Sequence, residues 1–297
     1  MELLKNLLYP AVRSAIRIPL VTPILSRLAR ANLLPFSIWV RLPVDQTFTV
    51  QVGDNSAFTY VAQPRDQIGN SLYWRGLDRG LEAETQRVFR TLAQEAEFIL
   101  DVGANTGLYT LLACAVSPIA QVVSFEPVPR VYQILKQNVE LNGWSARCDL
   151  RNQAVSNAMG LARLHVPLSN VPTSASLNPD GFRGNSGELI EVEATTIDAV
   201  CADRARVDLV KLDVEGFELE VLEGMERVLA TDRPTIIMEC IREGRYQATE
   251  SLLARYGYRF YHLRDDGPIA VARLVPDIDE RYRNFLCAVP DRWRAPS

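Results

Sequence analysis

Asp101-Val102-Gly103-Ala104-Asn105-Thr106-Gly107 follows one apolar run, Phe98-Ile99-Leu100, and precedes another, Leu108 to Ala115. The order predicts strand, tight glycine turn and helix, with a ligand pocket at the carboxyl end of a first parallel strand. Glycines at 103 and 107 let backbone approach a ligand where a side chain would collide. The helix behind them aims its unpaired N–H groups at that ligand. Outward from this stretch the chain alternates. Strand 97–102 leads to helix 107–116, strand 121–126 to helix 129–142, and strand 148–155 follows. Strand 207–213 leads to helix 217–230, and strand 234–240 to helix 245–256. Alternation of this kind predicts a doubly wound, mostly parallel α/β sheet. Gly160 to Pro167 reads as an extra strand, 168–188 as a polar loop, Glu191 to Thr195 as a short strand and 196–202 as a short helix. Strands 258–264 and 284–289, joined by an irregular link, are expected as an antiparallel pair at one edge.

The spacing of the glycines narrows the ligand. A dinucleotide site calls for Gly-x-Gly-x-x-Gly, whereas this loop has Gly103-x-x-x-Gly107 beside an acid, Asp101. A carboxylate there repels a pyrophosphate and attracts an ammonium group. S-adenosylmethionine, with an α-ammonium, a sulfonium and no phosphate, suits the loop better than NAD. Gln121 to Glu126 reads as a second strand whose terminal acid can accept from ribose hydroxyls. A helix-capping role before Pro127 and Pro129 is the plainer alternative for Glu126.

A third signal is Asp208 to Glu218, an apolar strand ending in Asp213 and Glu215. Parallel strands end on one edge, so Asp213 is expected to face the crevice of Asp101 and Glu126, and Glu239 can join them from the next strand. Glu218 reads as a helix N-terminal acid. His165 and His262 read as sheet residues rather than bases. Were Asp213, Glu215 and Glu239 to converge, an oxygen-ligand cation such as Mg²⁺ would have a place. Three acids in a sequence are not a site, and no metal ligand is assigned.

Bulk properties set the bounds. The 297 residues are 47% hydrophobic with net charge −4, enough for a large core and without a nucleic-acid footprint. Cys114, Cys148, Cys201, Cys240 and Cys287 are dispersed, which fits reduced thiols in a cytoplasmic compartment. Residues 1–44 carry Lys5, Arg13, Arg17, Arg27, Arg30 and Arg41 against Glu2 alone. No charge-free run reaches the ~18 residues that span a bilayer. Such a basic, amphipathic arm can touch an anionic membrane peripherally, pack on its own domain, cap the site or join a homo-oligomer. Thr47–Val52 and Ala57–Ala62 read as a β-hairpin, Ser71–Gly76 as a loop and Glu84–Ala96 as a helix. The expected division is an extension, 1–80, and a main domain, 81–297.

Together these residues resemble the FkbM-type methyltransferases, S-adenosylmethionine-dependent enzymes of the class I Rossmann-like fold. The resemblance rests on Asp101–Gly107 with Leu108-Tyr109-Thr110, Phe125-Glu126-Pro127, Asn152 to Ser156, Thr195 to Asp198 and Lys211 to Glu218, and covers about residues 80–245. It implies that Asp101, Gly103 and Gly107 line the methionine part of the cofactor and that Asn105 shapes the loop. It implies that Glu126 holds the ribose, that Gln153 and Ala154 lie near the adenine, and that Asp213 faces the methyl-transfer centre. The implied reaction is O-methylation of a hydroxyl on a sugar, glycolipid or natural-product acceptor, small or lipid-linked. Asp213, with Glu215 and Glu239 beside it, is the candidate catalytic group on the acceptor side. A carboxylate against the sulfonium would stabilise the ground state more than the transition state. Two other readings stay open. An NAD-type oxidoreductase is disfavoured by the missing third glycine and by Asp101. A silent binding or scaffold protein on the same fold is disfavoured by retention of Asp101, Glu126 and Asp213.

Overall fold

The structure is a computed structural model and describes residues 21–31, 33, 42, 44–64, 66–168, 171–172, 175–177, 187–204, 206–241, 245–277 and 281–293. The first twenty residues of the basic arm, and most of the polar loop expected at 168–188, lie outside the described residues. No helix among those described is long and apolar enough to cross a membrane. Among the described residues the first elements are α1 (Val21–Arg30), the antiparallel hairpin β1 (Thr47–Gln51) and β2 (Ala57–Val61), and the helices α2 (Gln67–Arg75) and α3 (Ala83–Glu95). Then β3 (Phe98–Val102), α4 (Leu108–Val116), β4 (Gln121–Phe125), α5 (Pro129–Leu141) and β5 (Cys148–Arg151) step outward in one direction. After β6 (Ala154–Val155), β7 (Gly160–Pro167), β8 (Gly187–Thr195) and α6 (Ile197–Val200), the chain returns to β3's other side. There β9 (Leu209–Leu212), α7 (Glu218–Glu223), α8 (Glu226–Thr231), β10 (Thr235–Glu239) and α9 (Tyr246–Arg255) step the opposite way. Strands β11 (Arg259–Arg264), β12 (Gly267–Val271) and β13 (Asn284–Ala288) finish the sheet.

The order β12-β11-β13-β10-β9-β3-β4-β5 is a doubly wound, class I Rossmann-like sheet. It is parallel from β10 to β5 and antiparallel beyond. The winding reverses between β3 and β9, which opens a crevice at their carboxyl ends. Alternation along β3 feeds both layers. Phe98, Leu100 and Val102 pack with Leu222, Leu229 and Leu253 of α7, α8 and α9. Ile99 packs with Phe89, Leu111 and Leu135 of α3, α4 and α5, and with Phe58 and Tyr60 of the hairpin. The extension therefore shares a core with the main sheet.

Asn138 on α5 and Asn142 at its C-cap stitch the hairpin in place. Asn138 and Asn142 lie one turn apart and so share a helix face. Asn142 accepts from the Thr59 N–H at 2.8 Å and donates to the Thr59 carbonyl at 2.7 Å. Asn138 accepts from the Val61 N–H and donates to the Thr106 carbonyl, each at 2.8 Å. The free edge of β2 is thus met by side-chain amides instead of another strand.

Several boundaries differ from the sequence reading. Of Ser71–Gly76, expected as a loop, Ser71–Arg75 belongs to helix α2 and Gly76 is its C-cap; the N-cap Asp66 accepts from the Gly69 N–H at 2.9 Å. The strand expected at 148–155 breaks in two, because Asn152 turns inward to donate to the Glu126 and Pro127 carbonyls. Its second half, β6, joins β8 and β7 in a separate three-stranded sheet. Glu191–Thr195 is the end of a longer strand that begins at Gly187, inside the expected loop. The helix expected at 217–230 is cut at Gly224, where a β-carbon would stand 2.1 Å from the Ser156 carbonyl oxygen. The link between the last two strands carries β12, so the antiparallel edge has three strands instead of a pair. Cysteines dispersed in sequence also meet in space, with the sulfurs of Cys114 and Cys148 3.4 Å apart.

Candidate functional site

A cavity of about 900 Å³ opens at the carboxyl ends of β3, β4, β9 and β10. Glu126 after β4 and Glu239 on β10 both line it, with β3 and β9 between them, so it runs about 14 Å across the sheet edge. Gly103, Ala104, Asn105, Gln153, Ala154, Asp213 and Glu215 line it too. Most residues singled out from sequence are therefore brought together. Two are not. Asp101 is buried behind the wall, where its Oδ2 accepts from the Thr110 hydroxyl at 2.6 Å and burial pushes its pKa up to about 6. It pins β3 to α4 and is not among the residues that line the cavity. Gly107 also stays off the wall, and a β-carbon there would stand 2.6 Å from Leu135. Its missing side chain serves helix packing. At Gly103, φ is +81° and a β-carbon would stand 1.8 Å from the Asp213 carbonyl oxygen, so that glycine admits a neighbouring strand end.

Glu126 faces the β4 half of the cavity. Its Oε2 accepts from the Asn105 N–H at 3.0 Å and its Oε1 from the Val128 N–H at 2.8 Å. Burial raises its pKa to about 7 against those hydrogen bonds. Phe125, Ala154, Leu164, Pro172 and Leu177 supply apolar wall nearby. Asn105, held at φ +49°, donates to the Pro172 carbonyl at 2.9 Å and fastens that segment to the loop. Gln153 donates to Glu193 at 3.1 Å.

The other half is rich in charge. Asp213 Oδ2 lies 3.0 Å from the ammonium of Lys211, which is wholly buried above the Tyr109 ring. Burial pulls the Lys211 pKa down, yet the carboxylates around it, Asp213 first and Glu82 next, raise it above the usual value. Asn284 joins Lys211 at 3.4 Å and donates to Glu82 at 2.9 Å, while Tyr109 donates to the other Glu82 oxygen at 2.8 Å. Lys211 and Glu82 were not singled out from sequence. A lysine inside the apolar run Leu209-Val210-Lys211-Leu212 was the available signal, since a central parallel strand is buried on both faces. Glu239 is buried, 3.4 Å from Arg283, and burial and then the Asp213 and Glu215 charges push its pKa well up. Glu218 accepts from the Gly216 N–H at 3.0 Å and stays a helix-start acid. His262 bonds the Tyr282 carbonyl at 3.0 Å and stacks on Phe285. On the solvent side, α2 and the α2–α3 link wall the cavity through Ile68, Leu72, Arg75 and Glu82.

A domain description, "Methyltransferase FkbM domain", matches residues 101–260, more than half of the chain. The chain belongs to the FkbM methyltransferase family. Among relatives, "Methyltransferase sdnD" of Sordaria araneosa is 29% identical over 43% of this chain and 60% of its own length. "Hexuronic acid methyltransferase AglP" of Haloferax volcanii is 27% identical over 64% of this chain and 74% of its own. "31-O-demethyl-FK506 methyltransferase FkbM" of Streptomyces tacrolimicus is 28% identical over 44% and 60%. The chain thus spans about three-fifths of the length of two of these relatives. The FkbM match runs from Asp101 into β11, so it takes in Glu126, Lys211, Asp213 and Glu239, but not the α2 wall or Glu82.

Proposed function

We propose that this chain is an S-adenosylmethionine-dependent O-methyltransferase acting on a hydroxyl of a sugar, glycolipid or natural-product acceptor. The observation that carries this reading is one cavity with the buried Glu126 carboxylate on the β4 side and Asp213 on the β9 side. The names of two relatives, one a hexuronic acid methyltransferase and one a 31-O-demethyl-FK506 methyltransferase, support an oxygen acceptor.

The residues fit such a donor. Each Glu126 oxygen takes one backbone N–H and keeps a lone pair for a ribose hydroxyl. Phe125, Ala154 and Leu164 offer apolar surface for an adenine ring. When bound, the donor would supply an electrophilic methyl group on a sulfonium, with a neutral thioether as its leaving group. Asp213 accepts the proton that the acceptor hydroxyl sheds, and Lys211 holds the carboxylate in place. Glu82, fixed by Tyr109 and Asn284, orients further acceptor hydroxyls. Positioning of this kind supplies much of the barrier reduction in a displacement that needs no covalent enzyme intermediate.

Calorimetric titration of S-adenosylmethionine and S-adenosylhomocysteine, with NAD as control, tests the donor. Saturable binding of both adenosyl ligands, weakened in a folded Glu126→Ala variant, is expected. Binding of NAD in their place would overturn the reading.

A further inference from the structure

Asp213 and Glu215 follow β9, and Glu239 ends the neighbouring β10. One carboxylate oxygen from each lies within 4.8 Å of the others, and all three residues line the cavity. Oxygens on opposite sides of one bound cation stand about 4.0–4.2 Å apart around Mg²⁺ and about 4.6–5.2 Å apart around Ca²⁺, twice the metal–oxygen distance. The spacing therefore suits a single cation with little movement of either strand.

Clustered carboxylates alone make no site, since protein cations can answer them. Here Lys211 meets Asp213 Oδ2 at 3.0 Å, and Arg283 meets Glu239 Oε1 at 3.4 Å. The second Glu239 oxygen, Oε2, is sealed from water and has no hydrogen-bond partner among the described residues. Glu239 as a whole is 4% exposed. Buried polar atoms nearly always find a partner, and an orphan of this kind calls for an explanation such as an ion. A buried carboxyl oxygen without a partner among the described residues, on a residue whose carboxylate lies beside two others, has a cation as a natural complement.

We propose that Asp213, Glu215 and Glu239 hold one hard, oxygen-preferring divalent cation of the Mg²⁺, Mn²⁺ or Ca²⁺ class. The group contains no histidine or cysteine, so softer metals have no preferred ligand in it. A cation at this point shares the cavity with the acceptor end of the methyl-transfer reading and lowers the pKa of a hydroxyl that binds it. Binding of the ion itself does not depend on that reading.

Titration of MnCl₂ into the full chain, without methyl donor, tests the site. One saturable Mn²⁺ per chain is expected, displaced by excess Mg²⁺ or Ca²⁺. Affinity is expected to fall at least about tenfold in Glu239→Gln and in Glu215→Gln, each of which removes one charged ligand. Glu140→Gln, whose carboxylate pairs with Lys136 on α5 at 3.8 Å, is expected to bind as wild type. Thermal melts without metal establish which variants fold, and Glu215, on the half-buried side, keeps the test open if Glu239→Gln does not. No saturable binding to wild type, or equal binding by wild type and the folded variants, overturns the proposal. Mn²⁺ binding by a chain that binds no adenosyl ligand would sink the methyltransferase reading and leave the cation site standing.

Discussion

A β-carbon at residue 103 would stand 1.8 Å from the Asp213 carbonyl oxygen, so the ends of β3 and β9 meet only because Gly103 has none. That contact fixes the backbone under the Asp213 carboxylate. Asp213→Asn preserves shape and removes the proton acceptor. Donor affinity is expected to stay within about twofold and turnover to fall about 100-fold, read by calorimetry and by initial rates. Glu126 gives a pH test. Burial raises its pKa to about 7, so its ionised fraction grows as the pH rises through neutrality. An ionised acceptor holds ribose hydroxyls better by about 1 kcal/mol, roughly fivefold in Kd. Donor affinity is therefore expected to rise between about pH 6 and pH 8, and to lose that dependence in Glu126→Gln. Glu126, Asp213 and Glu239 were legible in the sequence because acids at the ends of parallel strands must share an edge. Asp101 obeys the same rule and still misses the cavity, since its side chain leaves β3 toward Thr110. Neither Lys211 nor Glu82 ends a strand, so the rule does not reach them, and Glu82 comes to the site through a left-handed turn with φ +51° that no pattern announces.

At the scale of elements, alternating strands and helices made the parallel half readable almost residue by residue. What stayed hidden depends on single side chains acting at a distance. Asn152 breaks β5 from β6 through carbonyls about 25 residues upstream, and Gly224 divides a helix so that it can pass Ser156. The polar letters of Gln67-Ile68-Gly69-Asn70-Ser71 disguised α2, yet Asn70 and Ser71 are buried, and Asn70 caps the Val44 N–H at 3.0 Å. Asn138 is the strongest case. Its two bonds join the hairpin to the 101–107 loop from the interior of α5. Asn138→Ala leaves the buried Val61 N–H and Thr106 carbonyl bare, each at about 1–3 kcal/mol, for a loss of about 3 kcal/mol in urea unfolding. Asn138→Asp keeps the acceptor for Val61, and its cost is expected to be set by the Thr106 carbonyl and the buried charge.

Across the whole molecule, the central strand β3 has neighbours of very different origin. β4 follows it at once, whereas β9 pairs with it through contacts 110 residues apart. A chain growing from its N-terminus therefore completes β3, β4 and β5 long before β3's second edge is covered. That edge is apolar, with Phe98, Ile99 and Leu100 in a row, and it offers its backbone to any other strand until Leu209–Leu212 arrives. Unpaired apolar edges of this kind nucleate aggregation. A fragment ending near residue 160 is expected to scatter light and sediment as aggregates at concentrations where the full chain stays dispersed; a soluble, monomeric fragment would show that the hairpin, α3 and α4 shield the edge by themselves. The same asymmetry predicts that refolding from denaturant waits on one late event, the insertion of β9, and that the cavity cannot bind anything before it.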